Sequence, residues 1–177
     1  MNKSILISIK PRFVADILNG HKTIEIRKTM PKCDLPIEVY IYCTKEKGSH
    51  YNCRLLRKYC DKYMIDTIDY PTPKPYLNGK VVAKFTLNKV EKIEEALVGD
   101  IRKNACLSEK ELLDYLFNKT GFAWHIDNLV VFDKPKELFN FEHEKVVEDY
   151  FRGTARKLVL LTKAPQSWCY VEVEEDE

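Results

Sequence analysis

The stretch that most constrains the fold is Gly20-His21-Lys22-Thr23-Ile24-Glu25-Ile26-Arg27. A glycine suited to stopping a helix is followed at once by alternating apolar and polar residues, so helix has to give way to strand within a few positions. Strand side chains point alternately to two faces, which sends Ile24 and Ile26 into a core and sets Thr23, Glu25 and Arg27 together on the other face. A hydroxyl, a carboxylate and a guanidinium are then side by side, and Lys22 stands where the chain leaves the turn. The same pattern also describes an amphipathic edge strand whose Glu25 and Arg27 are simply solvated or paired.

The chain before this stretch predicts a strand with Ile5, Ile7 and Ile9 on its buried face. A short helix follows over Arg12 to Asn19, with Pro11 in its first turn and Phe13, Val14, Ile17 and Leu18 on one side. Beyond it, Ile37 to Cys43 alternates so regularly that a strand is expected, with Glu38, Tyr40 and Tyr42 sharing the face away from the core. Those tyrosines are candidates to stack on a base, and equally ordinary sheet-surface residues. Lys80 to Asn88 reads as a further strand, and Val90 to Val98 begins as strand and ends as a helical turn. Ser108 and Glu111 form a capping box ahead of Leu112, Leu113, Leu116 and Phe117, a helix expected to pack on the sheet without chemistry of its own.

In Phe122 to Phe132, ahead of an Asp133-Lys134-Pro135 turn, His125 and Asp127 share a strand face. That spacing suits a hydrogen bond fixing one imidazole tautomer, or a purely structural histidine. Trp124 either walls a ligand cleft or fills the core. Glu137 to Arg156 is polar, with Val146, Val147, Tyr150 and Phe151 at helical spacing, so partial helix is expected there. Arg152, Arg156 and Lys157 add a basic cluster before the short strand Leu158 to Leu161.

A chain of 177 residues fits one domain and needs neither disulfide nor metal to be stable. No apolar run reaches the ~20 residues of a membrane span and no signal-peptide core is evident, which predicts a cytoplasmic protein with no membrane partner. Its six cysteines are then expected as thiols. A zinc site can be written from Cys43, His50, Cys53 and Cys60, but none of the spacings is a CxxC knuckle, so no metal and no other cofactor is expected. The net charge of +2 is too small to mark a nucleic-acid binder, so local clustering has to carry that argument. Residues 44–79 supply it: seven Lys or Arg, Arg54, Arg57 and Lys58 among them, interleaved with five of the chain's ten tyrosines. Cations for phosphates and flat rings for bases are what a single-stranded nucleic-acid surface needs. A surface excursion with a solvated basic face has the same composition.

Written as GxKxxExR, the opening stretch resembles the signature of the ASCH domains, a branch of the PUA-like β-barrels associated with RNA binding, and Gly20, Lys22, Glu25 and Arg27 fill all four positions. Ile5 to Pro11 resembles the family's first strand and Ala164-Pro165-Gln166-Ser167-Trp168-Cys169-Tyr170-Val171 its closing one. The resemblance spans roughly residues 3–43 and 79–173. It implies one α+β domain over 1–177, a PUA-like mixed β-barrel with flanking helices, carrying the basic, Tyr-rich insert at about 44–79.

The implied function is recognition of RNA, other single-stranded nucleic acid or a nucleoside-like ligand in the cleft behind the motif. The expected contacts are Lys22, Glu25 and Arg27, with Tyr40, Tyr42, Arg54, Arg57, Lys58, Trp124, Arg152 and Arg156 extending them. Some small ASCH proteins are instead amidohydrolases that deacetylate N4-acetylcytidine with the motif lysine, a threonine and a glutamate. Here the threonine position holds Glu25, which cannot replace a hydroxyl nucleophile. Thr23 on the same face is the substitute, with Lys22 as its base and Glu94, Glu95 or Glu109 as the glutamate. A nuclease would draw on His125 and Asp127.

Overall fold

The computed structural model describes residues 2–45, 79–94, 98–117, 119–149 and 153–173. Among these residues ten strands form two sheets: β1 (Asn2–Ile9), β2 (Ile24–Arg27), β3 (Ile37–Cys43), β4 (Lys80–Leu87), β5 (Val90–Lys92), β6 (Phe122–His125), β7 (Asp127–Lys136), β8 (Phe141–Asp149), β9 (Gly153–Leu160) and β10 (Trp168–Val173). Among the described residues there are three α-helices, α1 (Pro11–Leu18), α2 (Val98–Asn104) and α3 (Glu109–Leu116). None of them is long and apolar enough to cross a membrane.

The larger sheet has the order β7-β4-β3-β1-β10-β8-β9, and the smaller one β2-β6-β5. β1 lies between β3, to which it is parallel, and the antiparallel closing strand β10. Both of its faces are therefore covered: Ile5, Ile7 and Ile9 pack with α1, and Leu6 packs with Tyr40 and Phe141 on the opposite side. That double burial is what a nearly unbroken apolar run encodes.

The two sheets are joined where the chain turns a corner twice. β4 runs into β5 and β6 into β7 with only short breaks, so one antiparallel ribbon passes from the larger sheet into the smaller. At that corner Asn128 sits at φ 48°, a left-handed conformation that asparagine tolerates.

The expected barrel is open among the described residues. Strands that would continue the larger sheet are diverted into the smaller one, and the β8–β9 hairpin extends the far edge instead of meeting β7. That hairpin replaces the partly helical segment expected over 137–156, and β7 runs on through Asp133-Lys134-Pro135, where a turn was expected. Valines 146 and 147 are β-branched neighbours that favour strand, and their apparent helical partners Tyr150 and Phe151 lie outside the described residues.

Candidate functional site

Lys22 is placed by the end of α1. Gly20, at φ 75°, lets the chain reverse, and the backbone N–H groups of His21 and Lys22 both donate to the Asp16 carbonyl, at 2.9 and 3.0 Å. β2 then pairs antiparallel with β6, setting Glu25 opposite Trp124 and Arg27 opposite Phe122. Ile24 and Ile26 face a small core with Ile101, Ala105, Leu112 and Ala123. The polar face of β2 looks the other way, onto the end of β1 and the loop before β10.

All four strand residues are nonetheless buried, and Lys22, Glu25 and Arg27 are only 3%, 8% and 7% exposed. They form one ionic cluster. Glu25 Oε2 lies 3.2 Å from Lys22 Nζ, and its Oε1 lies 3.0 Å from Arg27 Nη2. Lys22 Nζ also donates to the Ala105 carbonyl at 2.7 Å, tying the turn after α1 to the end of α2. Arg27 Nη2 donates to the Ser8 carbonyl at 2.7 Å and Nη1 to Ser167 Oγ at 3.3 Å, tying β2 to both strands of the β1–β10 pair at one end of the larger sheet. The Arg27 Nε–H is buried with no hydrogen-bond partner.

This cluster floors a cleft of about 830 Å³, lined just after β2 by Lys28 and Thr29 and walled further from three other places. The end of β1 and the start of α1 give Ser8, Lys10 and Phe13; the loop before β10 gives Gln166 and Ser167; α3 gives Glu111, Asp114 and Tyr115. Ser8 Oγ donates to the Pro165 carbonyl at 2.6 Å, which fixes the second wall to the first.

The capping box read from the sequence is present, and it reaches into the cleft. Glu111 accepts from the Ser108 N–H and hydroxyl, each at 2.8 Å, and from Arg12 Nη1 at 2.8 Å. Those hydrogen bonds, the Ser108 backbone first, hold the Glu111 carboxyl down to about 2. A depressed folded pKa contributes stability that is fully present above the unfolded value near 4.5 and is lost as pH falls through about 2. An NMR titration of Glu111 is expected to show that depression, and Ser108→Ala to move the midpoint upward while costing about 1 kcal/mol of helix stability. An unmoved midpoint would remove the Ser108 hydroxyl as a cause and leave the backbone N–H, which the variant keeps. Tyr115 stands beside the Arg27–Glu25 pair, where burial above all raises its phenol pKa and keeps it a protonated donor. Lys28 Nζ lies 5.0 Å from the centre of its ring.

Lys22, Glu25 and Arg27 thus converge, while most of the other predicted residues do not join them. Thr23 is exposed and outside the cleft lining: β2 begins at Ile24, and Thr23 spends its backbone on Asn104 and Ile126. Tyr40 and Tyr42 are buried rather than available for stacking, because Phe132, Leu138 and Phe141 cover the face they share. Trp124 is wholly buried in the core.

His125 hydrogen-bonds Glu91, at 2.6 Å, and not Asp127, which instead accepts from Asn88 at 3.2 Å. The chain crosses from one sheet to the other between the two residues, so they never share a strand face. Arg156 is exposed on the β8–β9 hairpin, 3.4 Å from Glu144 and away from the cleft lining. Glu109 pairs with Arg102, and neither it nor Glu94 lines the cleft. Cys43 is buried in the main core. Arg54, Arg57, Lys58, Glu95, Arg152, His50, Cys53 and Cys60 lie outside the described residues.

What sequence reasoning missed is the part that α3 takes in the cleft, since that helix was expected to carry no chemistry. Glu111, Asp114 and Tyr115 fall at i, i+3 and i+4, a polar stripe beside the buried Leu112, and that spacing was the available signal.

No protein-family model and no curated protein matches this chain. Among solved structures it is similar to ASCH from Zymomonas mobilis, at 18% identity over 96% of this chain and 87% of that one, with a TM-score of 0.59. Two mutant forms of that protein are also similar: one at 20% identity over 77% of each chain (TM-score 0.53), the other at 17% over 96% and 88% (TM-score 0.54). The chain has an ASCH-like α+β fold.

Proposed function

We propose that this ASCH-like fold binds single-stranded RNA, one nucleotide of which enters the cleft above Lys22, Glu25 and Arg27. The observation that carries the reading is the buried floor, where two cations share one carboxylate and leave a net positive charge under a cleft of about 830 Å³. That volume falls in the range of small-ligand sites, which is room for a nucleoside with its phosphate. Exposed Lys10 and Lys28 line the same cleft and suit phosphates, whereas Glu25 and the forked Arg27 suit a base edge.

A deacetylase reading has less support. Lys22 is engaged as a donor to both Glu25 and Ala105, and Thr23 stands outside the cleft.

Binding of short single-stranded RNA is expected to weaken steeply between about 50 and about 200 mM salt. Lys10→Ala and Lys28→Ala should each lower the salt slope by about 1 and leave the thermal midpoint unchanged, because both side chains are exposed. N4-acetylcytidine incubated in parallel should remain intact. Turnover that vanishes in Lys22→Ala, without RNA binding, would replace this reading with that of an amidohydrolase.

A further inference from the structure

The mouth of the cleft holds charges that the floor and the cap leave over. Of the three acids that line it among the described residues, Glu25 is neutralised by Lys22 and Arg27, and Glu111 is held by Ser108 and Arg12. The third, Asp114, is exposed on α3, and among the described residues no cation pairs with it. Lys10 and Lys28 likewise make no ion pair among the described residues, although Lys28 lies over the Tyr115 ring. Two available cations and one available carboxylate therefore line one opening.

For a cleft that takes a polyanion, an unpaired carboxylate is a liability unless it meets a hydrogen-bond donor. In a nucleotide chain the donor that lies between successive phosphates is the ribose 2′-hydroxyl, the group that distinguishes RNA from DNA. Carboxylates recognise ribose hydroxyls in dinucleotide sites for the same reason: the ionised oxygen accepts a short, charge-assisted bond from O–H.

We infer that Asp114 is a specificity-determining residue that accepts from a ribose 2′-hydroxyl and makes the cleft selective for ribonucleotides over deoxyribonucleotides. This rests on the RNA-binding reading above and deepens it. Where the hydroxyl is missing, Asp114 contributes only repulsion toward the flanking phosphates. Where it is present, the bond offsets that repulsion.

The test compares three oligonucleotides of one sequence, with uracil throughout: the RNA, the deoxyribose form and the 2′-O-methyl form, which keeps the oxygen but has no hydrogen to donate. Unmodified protein is expected to bind the RNA more tightly than either of the others. Asp114→Ala should cut the RNA-to-DNA affinity ratio about tenfold, the size of one hydrogen bond to a charged group. Much of that change should appear as tighter DNA binding, because repulsion is removed. Asp114→Asn should keep part of the RNA preference, since its carbonyl still accepts. RNA preference that survives Asp114→Ala unchanged would overturn the inference and leave RNA binding standing. Equal binding of all three forms by unmodified protein would overturn it as well. Binding of none of them would instead overturn the RNA-binding reading, and the inference with it.

Discussion

Glu25→Ala is expected to cost about 3–5 kcal/mol of folding stability, the loss that follows when one partner of a buried ion pair is deleted. The magnitude follows from what remains. Lys22 and Arg27 are 3% and 7% exposed, and both direct a cation at the carboxylate that would be removed. Without it, two like charges stay desolvated in one small space, with the carbonyl groups of Ala105 and Ser8 and the Ser167 hydroxyl as their remaining partners. Glu25→Gln, which preserves shape and one acceptor oxygen, should lose less. Urea denaturation of the two variants measures the difference. A shift under about 0.5 kcal/mol for Glu25→Ala, the range of ordinary surface changes, would mean that solvent reaches the cluster in solution.

This expectation changes the meaning of the motif. The alternation of Ile24, Glu25, Ile26 and Arg27 was legible, and with it the pairing of Glu25 with its neighbours on one face. What alternation does not carry is the environment of that face. Burial of Glu25 and Arg27 depends on Ser8 and Ser167, which lie near opposite ends of the chain and meet only because β10 closes against β1. The same limit applies to β3. Period two in Ile37 to Cys43 correctly separates Tyr40 and Tyr42 from Val39 and Ile41, yet a strand between β1 and β4 in a sheet covered on both sides buries both sets.

Where local signals are complete, reading succeeds. Pro11, the apolar spacing of α1 and Gly20 specify that helix to its ends, and Ser108 with Glu111 specifies the start of α3. Where the decisive event is a change of sheet, as between His125 and Asp127, strand periodicity predicts a shared face that does not exist. The fold resemblance was legible because its signature and closing strand are local. The share of the cleft contributed by α3 was not, because helical spacing says which residues are neighbours on α3 and nothing about what α3 faces.

Trp124→Ala is expected to lower stability by about 3–5 kcal/mol, the usual cost of emptying a buried aromatic site, and to weaken RNA binding measured well below the unfolding midpoint. The first effect follows from an indole that is 0% exposed and packs edge-on against Trp168, with ring centres 5.4 Å apart. The second follows from where that indole stands. It is directly opposite Glu25 across the β2–β6 pair, and directly opposite residues share a face, so Trp124 supplies the dry wall beside the ionic cluster. Its Nε1–H also donates to the Thr29 carbonyl at 3.2 Å, while Trp168 Nε1–H donates to the Thr29 hydroxyl at 3.0 Å. Thr29 lines the cleft, so two tryptophans clamp one residue of its wall from behind. Trp168→Phe keeps most of the ring contact and removes only the second clamp, a change of about 1 kcal/mol. If Trp124→Ala lost stability but bound RNA as before, Trp124 would serve the core alone, and the position of Thr29 would be immaterial to the ligand. Parallel losses in both measurements, with Trp168→Phe intermediate in each, would instead tie the cleft wall to the core that supports it.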